Sequence, residues 1–284
     1  MRSPLRICAR GFCRWLLSRT GRPCGREDLQ LPAVVFSPHF DDETLACGGT
    51  ILKKKAAGAD VKIVFMTDGS RSHRNLMPAD QLSKLRMQEG VAASIALGLR
   101  KDDVYLLKLE EGKVGKQQDA AVAGAFDLLS KHKPAEIYIP CGRDVHPDHV
   151  ATNRAVLAAV RQCGLDVVVN EYPVWFWRQW PWVGVRVNMR RQTREIWKTS
   201  FRSRCGLQLV RDFRHLVCIR DVLDRKRAAL NRHRSQMTRL AQGWAILRDM
   251  DQGDFLDCFF QDHEVFRRYR VAGGQMVDSL GAVQ

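Results

Sequence analysis

The chain of 284 residues contains no apolar run as long as the roughly 18 residues needed to cross a bilayer. It has no Cys-x-x-Cys pair, and nine cysteines, an odd number, do not suit a disulfide framework. Several lie in apolar runs, as Cys47 does, so we expect buried, reduced thiols and a cytoplasmic chain that is soluble or attached to a surface. Internal repeats and a Ser/Gly/Pro linker are also absent, which favours a single domain.

Acidic residues are outnumbered. The chain has 46 Lys and Arg residues against 31 Asp and Glu, a net charge of +15. Residues 1–30 hold seven arginines and two acids, and residues 186–234 hold fifteen basic and four acidic residues. Surfaces of this kind attract nucleic acid, anionic lipid or a phosphorylated substrate, or they are simply a solvated basic face. The charge alone does not discriminate among these.

From residue 33 the hydrophobic pattern alternates between strands and helices. The predicted strands are Ala33–Ser37, Val61–Thr67, Val104–Leu107, Glu136–Pro140 and Val167–Glu171. The predicted helices between them are Thr44–Ala57, Asp80–Leu97, Asp119–His132 and His149–Arg161. This alternation predicts an α/β fold with a mostly parallel, doubly wound sheet, in which the functional site forms at the carboxyl ends of the strands.

Two segments flank the alternating region. In residues 1–30, which we treat as an arm before a domain at 31–284, Arg6, Arg10 and Arg14 recur beside a more apolar face. This spacing predicts a basic amphipathic helix, and without a small-residue cleavage site it is not expected to be a secretory signal. After Tyr172 comes a C-terminal elaboration with a predicted helix at Asp221–Met237 and four tryptophans at 175, 177, 180 and 182. The tryptophans can be core packing, a sugar-stacking rim or an interfacial belt at a lipid layer.

Two short polar motifs follow predicted strands. Residues 38–43 read Pro-His-Phe-Asp-Asp-Glu after the first strand, and residues 146–149 read His-Pro-Asp-His after the fourth. Either motif alone could be a capped turn. Together they bring histidines and carboxylates to one edge of the sheet, a ligand set suited to Zn²⁺ held by three protein groups. Such a cluster is costly to bury unless a positive charge sits in it.

The two motifs resemble the signature of the PIG-L/LmbE-type N-acetylglucosaminyl deacetylases. The resemblance extends over about residues 33–236, through Thr-Asp-Gly at 67–69, Arg-x-x-Glu at 86–89, Glu-Tyr-Pro-Val-Trp at 171–175 and His-x-Ser-Gln at 233–236. Two motifs in order and in the right context make a specific match. It implies a Rossmann-like three-layer fold with a C-terminal elaboration, and a deacetylase that uses one zinc ion per chain.

The resemblance also implies roles for individual residues. By position, the metal ligands would be His39, Asp42 and His149. Asp41 would be the general base that takes a proton from water.

Further roles follow from the same match. His146 would stabilise the oxyanion or protonate the leaving amine, with Asp148 orienting it, and Arg71 matches a loop that approaches the sugar hydroxyls. The tyrosine that some family members carry before the second motif is missing, since residues 141–145 read Cys-Gly-Arg-Asp-Val. Glu43 either supports a ligating histidine or favours the helix dipole; we favour the structural role.

The expected function is therefore deacetylation of an N-acetyl amino sugar, which can carry phosphate, a nucleotide or a lipid. Alternatives are an amidase acting on a thiol-sugar conjugate or an acylated glycopeptide, and a non-enzymatic nucleotide- or nucleic-acid-binding protein. G-x-G-x-x-G is absent after the first strand and the turn there is acidic, so nucleic acid is not expected as a partner. The basic helix, the tryptophans and segment 186–234 together suggest peripheral contact with an anionic membrane at its cytoplasmic face. The sequence leaves the oligomeric state open.

Overall fold

The computed structural model describes residues 4–184, 197–198, 200–201 and 204–278. The strands are β1 (Arg22–Pro23), β2 (Ala33–Ser37), β3 (Val61–Thr67), β4 (Val104–Leu109), β5 (Glu136–Pro140), β6 (Val167–Tyr172), β7 (His215–Cys218), β8 (His263–Ala272) and β9 (Gln275–Asp278). The helices are α1 (Pro4–Thr20), α2 (Arg26–Gln30), α3 (Asp42–Ala56), α4 (Ala79–Ala96), α5 (Gln118–His132), α6 (Pro147–Cys163), α7 (Leu207–Asp212), α8 (Leu223–Leu230), α9 (Arg234–Met237) and α10 (Asp254–Asp257).

All five predicted strands and all four predicted helices of residues 33–172 are present. β2, β3 and β5 have the predicted bounds, and α3 and α6 each begin two residues earlier than predicted. Every residue of β2, β3 and β5 is buried. Strands covered on both faces are nearly continuous apolar runs, which is why their extent was readable from the sequence.

The sheet order places the two polar motifs side by side. The strands run β1-β7-β8-β6-β5-β2-β3-β4, with β9 on β8. The block β6-β5-β2-β3-β4 is entirely parallel, and β8 is antiparallel to its neighbours β6 and β7. The chain builds one half from β2 through β4 and then returns to place β5 on the other side of β2. The crevice for a ligand in such a sheet opens where this reversal occurs, at the carboxyl ends of β2 and β5.

Helices cover both faces of the sheet. Alternate strand residues belong to different cores: Val35 and Ile63 face one, and Val34 and Val64 face the other. The first core includes residues of α3, and the second includes residues of α5 and α6. The predicted three-layer α/β fold with a mostly parallel sheet is confirmed.

The predicted helix at Asp221–Met237 is wrong. A 3₁₀ turn precedes α8, α8 ends at Leu230, and α9 has only four residues. His233 between them has φ −76° and ψ 65°, which is not helical, and its buried Nε2 lies 2.8 Å from Glu43 Oε1. This tertiary contact breaks the helix despite its favourable composition.

β8 was missed because its sequence, HEVFRRYRVA, is rich in charge. The arginines are compatible with a strand since they meet acids from other elements. Arg267 pairs with Glu171, Arg268 with Asp28 and Glu136, and Arg270 with Asp166.

The N-terminal helix forms as predicted, but Arg6 and Arg10 of its predicted basic face point inward, and only Arg14 is exposed. Arg6 and Arg10 are buried, and Arg6 Nη2 lies 2.6 Å from Asp254 Oδ1. Cys13 and Leu17 of the same helix belong to the first core. Strand β1, which follows, pairs with β7. Residues 4–30 thus contact the rest of the chain closely, and the boundary at residue 30 stays a prediction.

The remaining expectations have mixed outcomes. Within the described ranges, no helix is long and apolar enough to cross a membrane. All nine cysteines are free thiols, but only four are buried, and Cys8, Cys205 and Cys218 are exposed, contrary to expectation. Trp177 and Trp182 pack edge to face in the core, as in the core-packing interpretation. Residues 186–196, 199 and 202–203 of the basic segment lie outside the described residues.

Candidate active site

The two polar motifs meet beside a cavity of about 450 Å³ at the crevice between β2 and β5. His39, Asp41 and Asp42 from the first motif and His146 from the second line it, and Arg71 contributes from another loop. His149 and Asp148 are buried, with 0% and 1% exposure. All seven residues singled out in the sequence therefore belong to one region of the molecule.

Three donor atoms form a small triangle. His39 Nδ1 and His149 Nε2 each lie 3.2 Å from Asp42 Oδ2, and they lie 3.3 Å from one another. Donors arranged tetrahedrally at zinc bond lengths of ~2.0–2.1 Å would be about 3.3 Å apart. Two imidazole nitrogens and one carboxylate oxygen at this spacing fit a single zinc-sized cation. His146 also has a ring nitrogen within 4.8 Å of nitrogens of the other two histidines.

In each of the two histidines of the triangle, the outer ring nitrogen, which is not part of the triangle, contacts an aspartate carboxylate. His39 Nε2 lies 3.3 Å from Asp148 Oδ2, and His149 Nδ1 lies 3.1 Å from Asp144 Oδ2. A carboxylate in this position fixes the tautomer and orientation of a metal-binding histidine. Asp148 contacts His146 through its backbone N–H, which donates to His146 Nδ1, whereas its carboxylate contacts His39.

Asp144 is the supporting residue that the sequence did not identify. It precedes the second motif in the loop before α6, and its side chain turns back to His149 in the first turn of that helix. The same carboxylate accepts the backbone N–H groups of Val145 and Trp175. A carboxylate shortly before a histidine-bearing helix N-terminus was the available signal, but loop conformation decides where such a side chain points.

The carboxylates in and around the triangle favour a positive charge within it. Burial opposes protonation of both histidines, but Asp148 and Asp42 outweigh it and raise the pKa of His39 to about 10. For His149, burial is likewise outweighed, by Asp42 and Asp144, and the pKa rises to about 9. Burial tends to raise the pKa of Asp42, yet His149 and His39 hold it well below its usual range. A divalent cation can supply this positive charge in place of the two protons.

Asp41 has a strained backbone at the start of α3, with φ 136° and ψ −28°. Such values cost about 1–3 kcal/mol for a residue other than glycine and are concentrated at functional sites. Its backbone N–H donates to Glu43 Oε2 at 3.0 Å, and Glu43 is held in turn by His233. Burial, followed by the negative charge of Asp42, raises the pKa of the Asp41 carboxyl.

Glu43 thus serves the structure, as we favoured. The histidine it meets is His233, from the far C-terminal side of the chain, and not one of the triangle. His233 and Glu43 are both fully buried, and together they fix the backbone of Asp41.

His146 is set up as a neutral hydrogen-bond donor. Its Nδ1 accepts the backbone N–H of Asp148 at 3.3 Å, which places the ring proton on Nε2. Burial, followed by the charges of His39 and His149, lowers its pKa to about 3. Its ring stacks on Trp175 with 5.7 Å between the ring centroids.

The cavity has two unlike walls. The polar wall consists of Arg71, Ser72, His73, Arg86 and Glu111. The apolar wall consists of Val174, Trp175, Ile246, Leu247, Met250 and Phe255. Trp175 begins the apolar wall beside His146 and stacks on Phe255 at 5.4 Å, so one of the four tryptophans belongs to the site. The contribution of residues 246–255 was not foreseen.

A second group of metal-type ligands in the described part of the chain contains Cys24, Asp28 and His215. The guanidinium of Arg268 lies 2.7 Å from Asp28 Oδ1 and 3.0 Å from His215 Nε2. Burial raises the pKa of the Cys24 thiol to about 11. An arginine therefore already supplies positive charge here.

Comparison with known proteins agrees with the resemblance that the two motifs indicated. Residues 34–160 match the family described as PIG-L: GlcNAc-PI de-N-acetylase. A 1D-myo-inositol 2-acetamido-2-deoxy-alpha-D-glucopyranoside deacetylase from Rhodococcus opacus is 27% identical over 249 residues, which are 75% of this chain and 85% of that protein. The protein of the same name from Rhodococcus jostii is 26% identical over 86% of this chain and 96% of its own length.

Among solved structures, the N,N'-diacetylchitobiose deacetylase from Pyrococcus horikoshii has a similar fold. It superposes with a TM-score of 0.57 at 17% sequence identity, over 95% of this chain and 94% of that one.

Proposed function

Because residues 34–160 match the PIG-L family, we propose that the chain is a zinc-dependent hydrolase that removes the acetyl group from the nitrogen of an N-acetyl amino sugar. The observation that carries this proposal is the triangle of His39, Asp42 and His149 at the crevice of the sheet. The relatives named as deacetylases of an acetamido sugar support the substrate class.

One zinc ion per chain, held by His39, Asp42 and His149, would supply a Lewis acid that polarises the amide carbonyl and makes water more acidic. Nitrogen and oxygen donors in this combination suit zinc, and the outer aspartates strengthen both histidines as ligands. His146 is left out of the ligand set because its Nδ1 already accepts a backbone N–H group.

Asp41 is the general base in this proposal. It borders the cavity next to the ligand Asp42, so water held near the triangle lies within its reach. Burial and the neighbouring carboxylate raise its pKa, which makes it a better proton acceptor than an exposed aspartate. The Glu43–His233 pair keeps its backbone in the strained position that this role requires.

His146 stabilises the oxyanion, and the proton that Asp41 takes from water is returned to the leaving amine. The sequence left oxyanion stabilisation and protonation of the amine as alternatives. A neutral ring with its proton on Nε2 donates a hydrogen bond without first gaining a proton, which favours the first role. Residues 141–145, directly before the second motif, contain no tyrosine, so this N–H makes a larger contribution to stabilising the oxyanion.

The two walls of the cavity suit a sugar that carries a less polar group. Arg71, Ser72, His73 and Glu111 offer donors and acceptors to hydroxyl groups, and Trp175 offers a flat apolar face to a ring or chain. An N-acetyl amino sugar linked to phosphate, a nucleotide or a lipid remains within this proposal. The thiol-sugar conjugate and the acylated glycopeptide are its alternatives.

Non-enzymatic nucleotide or nucleic-acid binding is disfavoured. The loop after β2 presents carboxylates where a phosphate-binding loop would present backbone N–H groups. A cytoplasmic location and peripheral contact with an anionic membrane also belong to the proposal.

The direct test is amide hydrolysis by the purified chain, stripped with a chelator and then reloaded with Zn²⁺. Release of acetate from N-acetylglucosamine, from its 1-phosphate and from its octyl glycoside would be followed beside an N-acetylated thiol-sugar conjugate and an acylated glycopeptide. We expect hydrolysis that depends on added metal and is fastest on an N-acetyl amino sugar. Turnover that ignores chelation, or binding of nucleotides without any hydrolysis, would contradict the proposal.

Replacing Asp144 with alanine should weaken metal binding by about 10–100-fold, because His149 loses the partner of its outer nitrogen. Competition with a chromophoric chelator measures this affinity directly. Asp144→Asn, which retains an acceptor oxygen, should recover part of the loss, while Asp119→Ala on the exposed start of α5 should bind metal like the wild type. Equal metal affinity in all three variants would remove Asp144 from the site.

Arg71→Ala should raise KM for the amino sugar by about tenfold and change kcat little, since one charged hydrogen-bond donor to the sugar is lost. Arg74→Ala is the matched control, because Arg74 is exposed in the same loop and is not part of the cavity wall. Steady-state kinetics at saturating zinc separate the two constants. An unchanged KM would mean that Arg71 is solvated and does not contact the sugar.

A further inference from the structure

The outward face of α1 is apolar. Its buried residues Arg6, Arg10, Cys13 and Leu17 follow helical spacing and define the inner face. On the opposite side, Leu5, Cys8, Phe12 and Trp15 recur at the same spacing and point to solvent. Leu5 is 70% exposed, Phe12 55% and Trp15 52%. We call these four residues the outer stripe of α1.

The outer stripe combines exposed aromatic rings with a neighbouring arginine. Phe12 and Trp15 stack with 5.9 Å between their centroids, and the guanidinium of Arg19 lies 5.9 Å from the Trp15 ring. α1 contains no acidic residue along its length. Aromatic rings beside arginine, without nearby carboxylates, are typical of helices that lie at a lipid headgroup layer.

A cavity of about 540 Å³ lies between α1 and α7, and Leu16 and Thr20 line it on the α1 side. Its apolar lining includes Leu16, Leu207 and Val210, and its basic lining includes Arg204, Arg211 and Arg214. Arg211 pairs with Asp212, and Arg214 donates to the Thr20 carbonyl oxygen. The combination of an apolar floor and arginines at its edge is complementary to an anionic headgroup with its acyl chains.

Because Arg6 and Arg10 are buried, α1 would contact a membrane through its apolar side and not through these arginines. Arg6 is engaged by Asp254, so it cannot serve as an electrostatic contact for lipid. The outer stripe is the side of the helix that is available for contact with lipid. Contact would thus depend on insertion of aromatic side chains, with Arg19 and the arginines of the cavity favouring anionic over neutral lipid.

We propose that α1 is a membrane-docking helix whose outer stripe inserts into the headgroup region of an anionic bilayer. Nucleic acid would not be attracted by Leu5, Phe12 and Trp15, and the absence of acids from α1 favours an anionic surface over a basic protein. This inference goes beyond the proposed hydrolysis and does not require it.

The inner face of α1 is linked to the active site by a short chain of contacts. Asp254, which binds Arg6 in the first turns of α1, precedes Phe255 in the apolar wall of the cavity. Phe255 stacks on Trp175, which stacks on His146. The N-terminal end of the helix is therefore only a few side chains from the catalytic histidine.

Sedimentation with lipid vesicles tests the proposal on the full chain. Vesicles of phosphatidylcholine alone and of equal parts phosphatidylcholine and phosphatidylglycerol would be compared. We expect the wild type to bind the anionic vesicles more tightly than the neutral ones. The double variant Phe12→Ser/Trp15→Ser should lose about tenfold or more in the partition constant, since two large apolar side chains no longer insert.

Ile95→Ser is the matched control, because Ile95 is an equally exposed apolar residue on α4, with 51% exposure. It should bind vesicles like the wild type, and both variants should keep the wild-type melting temperature. The proposal is overturned if the double variant binds as the wild type does or if the wild type binds neither vesicle. It is also overturned if the stripe proves to hold two copies of the chain together, seen as a dimer that the double variant converts to a monomer, or if the stripe is needed for oligonucleotide rather than vesicle binding. Vesicle binding is measured without substrate, so failure of the proposed hydrolysis would not affect this result.

Discussion

Purified His149→Ala protein is expected to contain almost no zinc and to have no turnover above background. His149 Nε2 is one corner of the donor triangle with Asp42 and His39, and the residue is completely buried, so solvent is not positioned to replace it. Loss of a ligand should reduce metal affinity by more than the ~10–100-fold that loss of an outer partner costs. Elemental analysis after dialysis against a weak chelator measures the result.

His39→Ala should behave in the same way, since His39 Nδ1 is the second nitrogen of the triangle. His263→Gln is the control: His263 lies in β8 and is not part of the site, so its zinc content and turnover should match the wild type. Melting temperatures would show whether each variant is folded. If both alanine variants keep one zinc ion per chain, the proposed ligand set is wrong, and His146, whose ring nitrogen lies within 4.8 Å of the others, becomes the first alternative.

Asp41→Asn should retain zinc and lose about 10²–10⁴-fold in kcat, the usual contribution of a positioned general base. The donor triangle contains Asp42 and not Asp41, so metal affinity should not change in this variant. Asparagine is preferred to alanine for this test because it keeps the shape of the side chain and tolerates positive φ better. Turnover at saturating zinc, together with metal content, gives the two readings.

Asp42→Asn provides the contrast at the neighbouring position. It removes the negative charge on which both histidines converge, so zinc and activity should be lost together. Two adjacent aspartates would thus give different results for one chemically identical change. Near wild-type turnover in Asp41→Asn would show that another carboxylate is the base, and loss of zinc in that variant would make Asp41 a ligand.

The amino-acid sequence by itself determined the architecture and the location of the site. β2, β3 and β5 are buried on both faces, so each is a mostly apolar run that is readable without knowledge of its neighbours. Parallel topology then places the segments after β2 and β5 at one edge of the sheet. The convergence of His39, Asp42 and His149 followed from these two facts and the family resemblance.

Tertiary structure decided which groups support that site. Asp148 and Asp144 are separated by four positions, and nothing in their order along the chain shows that the first reaches His39 and the second His149. Glu43 meets His233 across 190 positions, and that contact breaks a helix which composition alone would continue. Local pattern reports what a segment can form, whereas hydrogen bonds between distant segments select among the possibilities.

The orientation of α1 shows the same division. Its periodicity established two faces, but not which of them would be buried, because a charged face is normally the solvated one. Asp254, about 250 positions away, supplies a carboxylate to Arg6, and so the arginine face could pack inward. The outer stripe therefore faces solvent because of a long-range ion pair, which the local sequence of α1 does not reveal.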